Sequence, residues 1–442
     1  MTTLVITHSF SRPEARLIQL CTRTQMTSDI EREVQDIVSS SLDWMWLARF
    51  ARRHGVAALL VHHLHRLELG GHIPDQVRDM LWSYGKAVLT HNVQAMGELI
   101  RVIEAFDAEG IDAMPIKGPV LANRYYGNLA FRRFVDLDIV VREERVHDAL
   151  DVLDRMGYEL GYERTPDELE SAIRGQLGIE MVERERRMVV EVHWALLNRT
   201  YNIPLDPPSV WGRVRHLALG DKTVAALSTE DLLLYLCAHG TKHHWAGLKW
   251  ACDVAEVLRS ADIDWDALNR LAQEHHCTRI LHLGLALAYR WLDAPVPERV
   301  IEAVRDDSGI NRLIRQIEDG WLWTDQPLEP EASPRKVAFT LGTRTRVRDN
   351  ARFFWHNVGL MVGPNKKDRA VVDLPGWLAW AYVVIRPFRV ITDWLEADSG
   401  EETTIRNEYV DKPIDRRPAA PSSENEQSRG SSSTILVEEA AS

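Results

Sequence analysis

The chain has 442 residues, of which 45% are hydrophobic and 27% are charged, proportions that are ordinary for a globular protein. This length exceeds one average domain and favours about two or three domains. The formal net charge of −12 argues against a general nucleic-acid-binding protein. Four scattered cysteines without a CxxC pair argue against a disulfide framework and against a thiolate zinc site.

The amino-terminal stretch has no long apolar run behind a basic segment, so it does not resemble a signal peptide. The most apolar stretch, residues 376–395, is interrupted by Arg386, Pro387 and Arg389. It falls short of the roughly 20 apolar residues that span a membrane. We therefore expect a cytoplasmic protein without a membrane span.

Residues 1–109 are predicted to form an N-terminal helical region. Apolar residues recur there every three or four positions, as in "SLDWMWLARFARRHGVAALLVHHLHRL", and Gly110 supplies a stop signal for the last helix.

Residues 110–205 change in pattern and predict a small mixed α/β core. The segments "IDAMPIKG" and "FVDLDIVV" are typical of short strands, and "EERVHDALDVLDRMG" predicts a helix that ends at Gly157. The segment "IEMVERERRMVVEVHWAL" predicts two strands joined by a charged turn near 183–187.

Helical periodicity returns after Leu205. The segment "STEDLLLYLCAHG" begins with Ser228 or Thr229 as the helix N-cap, and acidic residues follow. We predict a helical domain over 206–320, a helical extension over 321–396, and a disordered tail over 397–442 that is rich in Ser, Glu and Pro. The predicted fold class is therefore α+β, with a small mixed sheet flanked by N- and C-terminal helical regions.

Two aspartates, Asp136 and Asp138, alternate within the apolar strand "FVDLDIVV". Residues i and i+2 of a strand face the same side, so the two carboxylates project together. Burying like charges side by side is costly unless they hold a cation. A lone DxD is more often an edge strand with solvated acids, but neighbouring features favour a site here.

Basic residues and a glycine lie upstream of these aspartates. Lys117 and Gly118 end a short strand, where glycine lets backbone N–H groups approach a phosphate and the lysine can reach one. Arg132 and Arg133 precede Asp136 and can neutralise a polyphosphate or pair with the acids.

The segment "VVEVHW" supplies a third acid. Its alternation places Val190 and Val192 on one face and Glu191 and His193 on the other. If this strand pairs beside the Asp136 strand, Glu191 joins the two aspartates. Carboxylates that converge in this way suit one or two Mg²⁺ ions shared with substrate phosphates.

This set of residues resembles the DNA-polymerase-β-like nucleotidyltransferase superfamily, whose core joins a Gly-containing strand-to-helix turn to a DxD strand and a third acidic strand. More narrowly, the chain resembles a bacterial family of uncharacterised nucleotidyltransferases with the pattern KG…R…DxD…E-x-H-W. That pattern is met here by Lys117-Gly118, Arg132, Asp136-x-Asp138 and Glu191-x-His193-Trp194. Pro119 stands where the superfamily usually has Ser or a second Gly.

The resemblance implies a metal-dependent nucleotidyltransferase that moves a nucleoside monophosphate from an NTP to an acceptor and releases pyrophosphate. It implies Mg²⁺ or Mn²⁺ held by the catalytic carboxylates Asp136, Asp138 and Glu191, of which Glu191 either binds the metal nearer the nucleophile or acts as the base of the nucleophile. The candidate nucleotide-binding residues are Lys117, Gly118, Arg132 and Lys249. The expected partners are an NTP and a small-molecule or protein acceptor that the sequence does not identify.

The segment "HGTKHHWAGLKW" places His239 and His243 four residues apart on a helix, a spacing that a metal pair also uses. No HExxH motif accompanies them, so packing of a helix end onto the core is the favoured interpretation. Alternatively His239, His243 and His193 line an acceptor site, with Lys249 at the triphosphate.

Two other classes of function stay open. The chain could be a catalytically degenerate nucleotidyltransferase fold that serves as a binding or regulatory module. It could also be an antitoxin-like nucleotidyltransferase that modifies a protein or an RNA end. The complete acidic set argues against the first, and the acidic overall charge argues against an RNA substrate.

Overall fold

The computed structural model describes residues 12–162, 165–175, 178–185, 188–196, 207–322 and 334–346, together with a few positions between 348 and 382. Helices dominate it. They are α1 (Pro13–Cys21), α2 (Ser28–Val38), α3 (Trp44–Arg53), α4 (Ala57–Arg66), α5 (Asp75–Ala108), α6 (Gly118–Arg124), α7 (Val146–Arg155), α8 (Pro166–Gly175), α9 (Pro207–Trp211), α10 (Thr229–Lys242), α11 (Leu248–Ser260), α12 (Trp265–Glu274), α13 (Thr278–Leu292), α14 (Glu298–Asp306), α15 (Ser308–Ile317) and α16 (Pro334–Gly342).

A five-stranded mixed sheet forms the centre of the molecule. Its strands are β1 (Ala113–Pro115), β2 (Asp136–Val141), β3 (Tyr158–Leu160), β4 (Gly178–Glu183) and β5 (Val189–His193), in the order β1-β2-β5-β4-β3. The β2–β5 pair is parallel and the other pairs are antiparallel. The α+β fold class predicted from the sequence is therefore confirmed.

One face of the sheet is apolar and closes a core against α5 and α7. Leu137, Ile139, Val190 and Val192 are buried there, as the alternation of both strands predicts. The acidic residues of β2 and β5 consequently face the other side, toward the helices that follow residue 228. Burial of the apolar face thus decides where the charged face points.

The N-terminal helices and the later helices share a second apolar core. Hydrogen bonds join them directly; for example, Gln19 Nε2 donates to the Trp291 carbonyl at 2.6 Å, and Thr24 Oγ1 donates to Glu256 Oε2 at 2.6 Å. Helices α1–α4 therefore pack against α10–α15, although some 200 residues separate them in the chain. The boundaries at 109, 205 and 320 stay predictions.

A hairpin that the sequence did not predict follows residue 206. Strands β6 (Arg215–Leu219) and β7 (Lys222–Ala226) pair antiparallel, with Gly220 at a φ of +66° in the turn. Leu219 and Val224 pack into the core under the central sheet. Both strands are short, and β6 is exposed over most of its length, so their alternation gives a weak signal.

The predicted tail over 397–442 and most of the predicted extension over 321–396 lie outside the described residues. Among the helices that are described, none combines the length and apolar character needed to cross a membrane.

Of the two predicted N-caps of α10, Ser228 and Thr229, the structure uses Ser228, which gives a stability test. Its Oγ accepts from the Asp231 amide at 3.1 Å and donates to Asp231 Oδ2 at 2.7 Å, in a buried setting. We expect Ser228→Ala to lower the free energy of unfolding by about 1–2 kcal/mol, measured by urea denaturation.

Thr27→Ala is the comparison variant, because Thr27 caps α2 through a longer, exposed bond of 3.4 Å to Ile30 N. We expect it to cost less than about 1 kcal/mol. Equal losses of unfolding free energy in both variants would show that burial of the Ser228 cap adds nothing to its stabilising effect.

Candidate active site

The parallel register of β2 and β5 brings the acidic residues together. Asp138 lies opposite Glu191, and His193 follows on the same face two residues later. The Asp138 side chain is only 3% exposed, whereas Glu191 is 38% exposed. Asp136 begins β2 at the open end of this row. The row therefore runs from a buried carboxylate toward solvent.

Both oxygens of Asp138 contact a basic side chain. Lys117 Nζ lies 3.0 Å from Oδ2, and His193 Nε2 lies 3.0 Å from Oδ1. The same His193 nitrogen lies 3.5 Å from Glu191 Oε2. Lys117 and His193 are themselves mostly buried, so this is a compact charged cluster in a place of low dielectric.

Pairing decides which groups of this cluster are charged. Burial alone would raise the pKa of Asp138, but Lys117 and His193 outweigh it and hold that pKa well below its usual range. Burial would lower the pKa of Lys117, yet the carboxylates keep it well above its ordinary value. Burial would also lower the pKa of His193, but Glu191 and Asp138 raise it to about 9.

The raised pKa of His193 has a consequence for stability. Its protonated form stabilises the folded state fully below its ordinary pKa of 6.5, and this contribution is lost as the pH rises through about 9. The cluster therefore carries ionised carboxylates beside two cations at neutral pH.

The turn between β1 and α6 aims Lys117 at Asp138. Gly118 has a φ of +47°, a conformation that favours glycine. A Cβ there would lie 3.5 Å from the Asp136 carbonyl oxygen and 3.6 Å from the Phe134 ring. The Ile116 amide donates to the Asp138 carbonyl at 3.1 Å and ties the turn to β2. The turn is thus built to deliver a lysine side chain into the acidic row.

Arg132 is engaged elsewhere. Its Nε and Nη2 bind Asp253 Oδ1 and Oδ2 at 2.7 and 2.9 Å, and Tyr126 Oη donates to the same Oδ1 at 2.7 Å. The predicted phosphate ligand therefore clamps the segment before β2 onto α11. Its side chain is only 14% exposed, but it lines the cleft described next.

The acidic row lies in the wall of a cleft that opens to solvent. The opposite wall is basic and aromatic, with Lys249 and Trp250 from α11 and His239 from α10. Gly55 and Val56, from the turn between α3 and α4, close one side. The cleft therefore places carboxylates and cations across a space that a small ligand can enter.

Lys249 reaches the cleft along Gly55. Its backbone amide donates to the His54 carbonyl at 3.1 Å, and its aliphatic stem passes so close to Gly55 that a Cβ there would lie 2.8 Å from Cδ. Burial, with the charge of Arg132, lowers the pKa of Lys249 to about 8 against the attraction of Asp253.

The two histidines of α10 differ in position. His239 lines the cleft, whereas the His243 ring stacks on Trp250 with centroids 5.0 Å apart and an interplanar angle of 1°. Burial and the nearby lysines lower the pKa of both imidazoles well below the ordinary value, so both rings are neutral at pH 7. The geometry thus separates a cleft residue from a packing residue.

The acidic row fits a divalent cation by its donor chemistry. One ligand atom each from Asp138, Glu191 and His193 lies within 4.8 Å of the others. Asp136 adds a further carboxylate on the same side of β2. Oxygen-rich donor sets suit Mg²⁺ and Mn²⁺, so the carboxylates of this row are the candidate ligands, whereas the raised pKa of His193 keeps its ring protonated beside them.

Comparison with known proteins defines the class. A family model of nucleotidyltransferases, described as uncharacterised nucleotidyltransferase, matches residues 40–293. The match spans more than half of the 442 residues, and the chain belongs to this uncharacterised nucleotidyltransferase family. The resemblance drawn from the KG…DxD…E-x-H-W pattern is thereby confirmed, and nucleotidyl transfer is supported as the general activity.

No curated protein matches the chain. Among solved structures, the antibiotic-resistance factor ANT(2″)-Ia is similar, with 11% sequence identity over 41% of this chain and 91% of that chain. The TM-score is 0.30, and a likeness at that level carries no argument about fold or function here.

Several residues of the site escaped the sequence analysis. Gly178 lies opposite His193, where a Cβ would be 2.8 Å from both Glu191 Oε1 and His193 Nδ1. Tyr235 of α10 lies beside Lys117 and contributes to its electrostatic environment. Gly55 supports Lys249 from far away in the chain. A single sequence contains no signal for such contacts, because each depends on an approach between distant segments.

Gly55→Ala tests how Lys249 is held. The added methyl group would displace the lysine stem from its buried path, so we expect the pKa of Lys249 to rise from about 8 toward its ordinary value. Competitive isotope labelling of lysine amines between about pH 6 and 11, read by mass spectrometry, measures this pKa.

Gly110→Ala is the matched control. Gly110 has a φ of +63°, close to the +71° of Gly55, but no atom of the residues that the structure describes lies within 4 Å of a Cβ at Gly110. Both variants carry the same kind of backbone strain, and only Gly55→Ala disturbs Lys249. An unchanged Lys249 titration in Gly55→Ala would contradict the contact.

Proposed function

We propose that this protein is a divalent-metal-dependent nucleotidyltransferase that moves a nucleoside monophosphate from an NTP to an acceptor and releases pyrophosphate. The observation that carries the proposal is the placement of Asp138 against Glu191, with Asp136 on the same side, in a cleft whose other wall holds Lys249. Family membership supports the general reaction.

In the proposed reaction an acceptor hydroxyl, amine or phosphate oxygen attacks the α-phosphorus of the NTP. The bond from that phosphorus to the β-phosphate oxygen breaks, and pyrophosphate leaves in line with the attack. A divalent cation, when bound, would neutralise the phosphate charge and activate the nucleophile. Asp136, Asp138 and Glu191 would hold it, because their carboxylates converge on one side of the sheet.

Glu191 is assigned as a ligand rather than as the general base. Burial would raise the pKa of Glu191, but His193 and Lys117 lower it below its ordinary value. A carboxylate with a lowered pKa is a weak proton acceptor and a ready cation ligand. The proton of the acceptor would then leave through solvent at the open end of the row.

The basic residues of the cleft are assigned to the triphosphate. Lys249 faces the acidic row, and Lys117 with Gly118 lies at its edge. Arg132 acts indirectly, since its guanidinium holds Asp253 and thereby places α11 and Lys249. We place the acceptor beside His239, where the cleft passes between the sheet and α10.

Asp138→Asn tests the proposal. Each of the four common NTPs is titrated with Mg²⁺ or Mn²⁺ by calorimetry, and transfer of labelled nucleotide into cell extract is followed by mass spectrometry. We expect the wild type to bind at least one metal–NTP complex and the variant to lose transfer by at least about a hundredfold.

The control is Asp148→Asn, which removes an exposed acid paired with Arg145 on α7 and should change neither measurement. Failure of every NTP to bind the wild type, or unchanged transfer by Asp138→Asn, would refute the assignment. Binding and pyrophosphate release without any labelled product would leave hydrolysis as the activity, and binding without turnover would favour a regulatory module.

His239→Ala and His243→Ala test the acceptor side of the cleft. We expect His239→Ala to reduce transfer per folded molecule while the melting temperature stays near that of the wild type, because His239 faces the cleft. His243→Ala removes the stack on Trp250 and should cost about 1 kcal/mol of stability with less effect on transfer. The reverse pattern would place the acceptor elsewhere.

A further inference from the structure

The two cations that contact Asp138 occupy the positions where its oxygens would bind a metal. Lys117 Nζ lies at Oδ2 and His193 Nε2 lies at Oδ1, each at 3.0 Å. Each oxygen keeps a second lone pair, but a divalent cation bound there would lie close to a positively charged side chain, so metal binding is opposed unless one of these partners moves. The two partners differ in how easily they can move away from Asp138.

Lys117 is the more movable partner. His193 lies within β5, and its ring also touches Glu191, so its place is fixed by the sheet. Lys117 instead extends a flexible side chain from the turn before α6 and is 16% exposed at the edge of the cleft.

The Lys117 ammonium also has the charge environment of a metal ion. It is attracted by Asp138, Asp136 and Glu191 together, and those attractions outweigh its desolvation. These are the same three carboxylates that are assigned to the metal. The lysine ammonium therefore lies at an oxygen of Asp138 that a divalent cation would also use.

We propose that Lys117 is a built-in counter-cation that keeps the acidic row closed to metal, and that it moves from Asp138 to the phosphates when a metal–triphosphate complex enters the cleft. This deepens the proposed function and rests on it. Metal and nucleotide would then bind together, whereas either one alone would bind weakly.

The exchange keeps every buried charge paired. If metal enters without phosphate, the Lys117 ammonium loses Asp138 and gains no anion in return, which is costly in a buried place. If phosphate enters without metal, Lys117 can reach it only by leaving Asp138 with one partner. When both enter, the metal takes Asp138 and the phosphate takes Lys117, so no charge is left alone.

The first experiment measures Mn²⁺ binding in the absence of nucleotide, by electron paramagnetic resonance of free Mn²⁺. We expect Lys117→Met to bind Mn²⁺ at least about tenfold more tightly than the wild type, because the competing cation is gone. Lys117→Arg keeps the charge and should bind Mn²⁺ as weakly as the wild type.

Lys222→Met is the matched control, since Lys222 also pairs with an aspartate, Asp107 at 2.9 Å, but on the surface at β7. It should leave Mn²⁺ binding unchanged. Equal Mn²⁺ affinity in Lys117→Met and the wild type would overturn the proposal.

The second experiment tests coupling with inorganic tripolyphosphate as the probe. By calorimetry, the preformed Mn²⁺–tripolyphosphate complex should bind the wild type at least about tenfold more tightly than Mn²⁺ alone or tripolyphosphate alone. In Lys117→Met the advantage of the complex over Mn²⁺ alone should shrink. If the complex binds more tightly than Mn²⁺ alone by the same factor in both proteins, Lys117 does not move from Asp138 to the phosphates.

Lys117→Met leaves a buried acidic row without one of its cations, so its folding is measured too. We expect a lower melting temperature that Mn²⁺ raises by more than it raises that of the wild type. A variant that stays unfolded at every Mn²⁺ concentration would show that metal cannot replace the lysine, and the proposal would be wrong.

These outcomes separate the inference from the proposed function. If no NTP binds the wild type, the nucleotidyltransferase proposal fails first. If metal–NTP binds and is turned over, yet Lys117→Met binds Mn²⁺ like the wild type, only the counter-cation role fails.

Discussion

The buried carboxylate of Asp138 sets the strongest constraint on this molecule. An ionised carboxylate that is almost fully buried is destabilising by several kcal/mol unless cations and hydrogen-bond donors surround it. Lys117 comes from the turn after β1 and His193 from β5, so three strands must keep their present register to supply both partners. A slip of one residue in β2 would turn Asp138 into the apolar core and expose its neighbours.

The cleft depends on segments that lie far apart in the chain. The ion pair between Arg132 and Asp253 fastens the segment before β2 to α11 across 121 residues. The contact of Lys249 with His54 and Gly55 fastens α11 to the turn after α3. The sheet that carries the acids and the helices that carry the bases are therefore held as one unit, and the width of the cleft follows from both attachments.

The charges of the cleft are divided between its walls. Carboxylates stand on the sheet, whereas Lys249 and the neutral ring of His239 stand on the helices opposite. A ligand that carries both negative and positive charge, such as a polyphosphate with its bound cation, complements these two walls better than an ion of a single charge sign. The lysine that already lies among the acids shows how strongly that wall attracts positive charge.

The local sequence pattern was sufficient to predict the main helices and strands and the face on which each strand carries its polar side chains. Alternation in β2 and β5 correctly placed the aspartates, Glu191 and His193 on one face, because a strand has a side-chain period of two. The opposite, apolar face carries Leu137, Ile139, Val190 and Val192. The cap at Ser228 was also readable, since an N-cap depends only on the next three residues.

Contacts between segments that are distant in the chain could not be predicted from the sequence and follow only from the packing of the folded molecule. The pairing of Lys117 with Asp138, the diversion of Arg132 to Asp253 and the support of Lys249 by Gly55 leave no trace in local pattern. The short hairpin of β6 and β7 was missed for a related reason, because its strands owe their place to the core they cover. The sequence alone was sufficient to name the residues near the site. The ion-pair partner of each charged side chain was decided only by the tertiary structure, because buried charges pair with whatever lies close in space, at any separation along the chain.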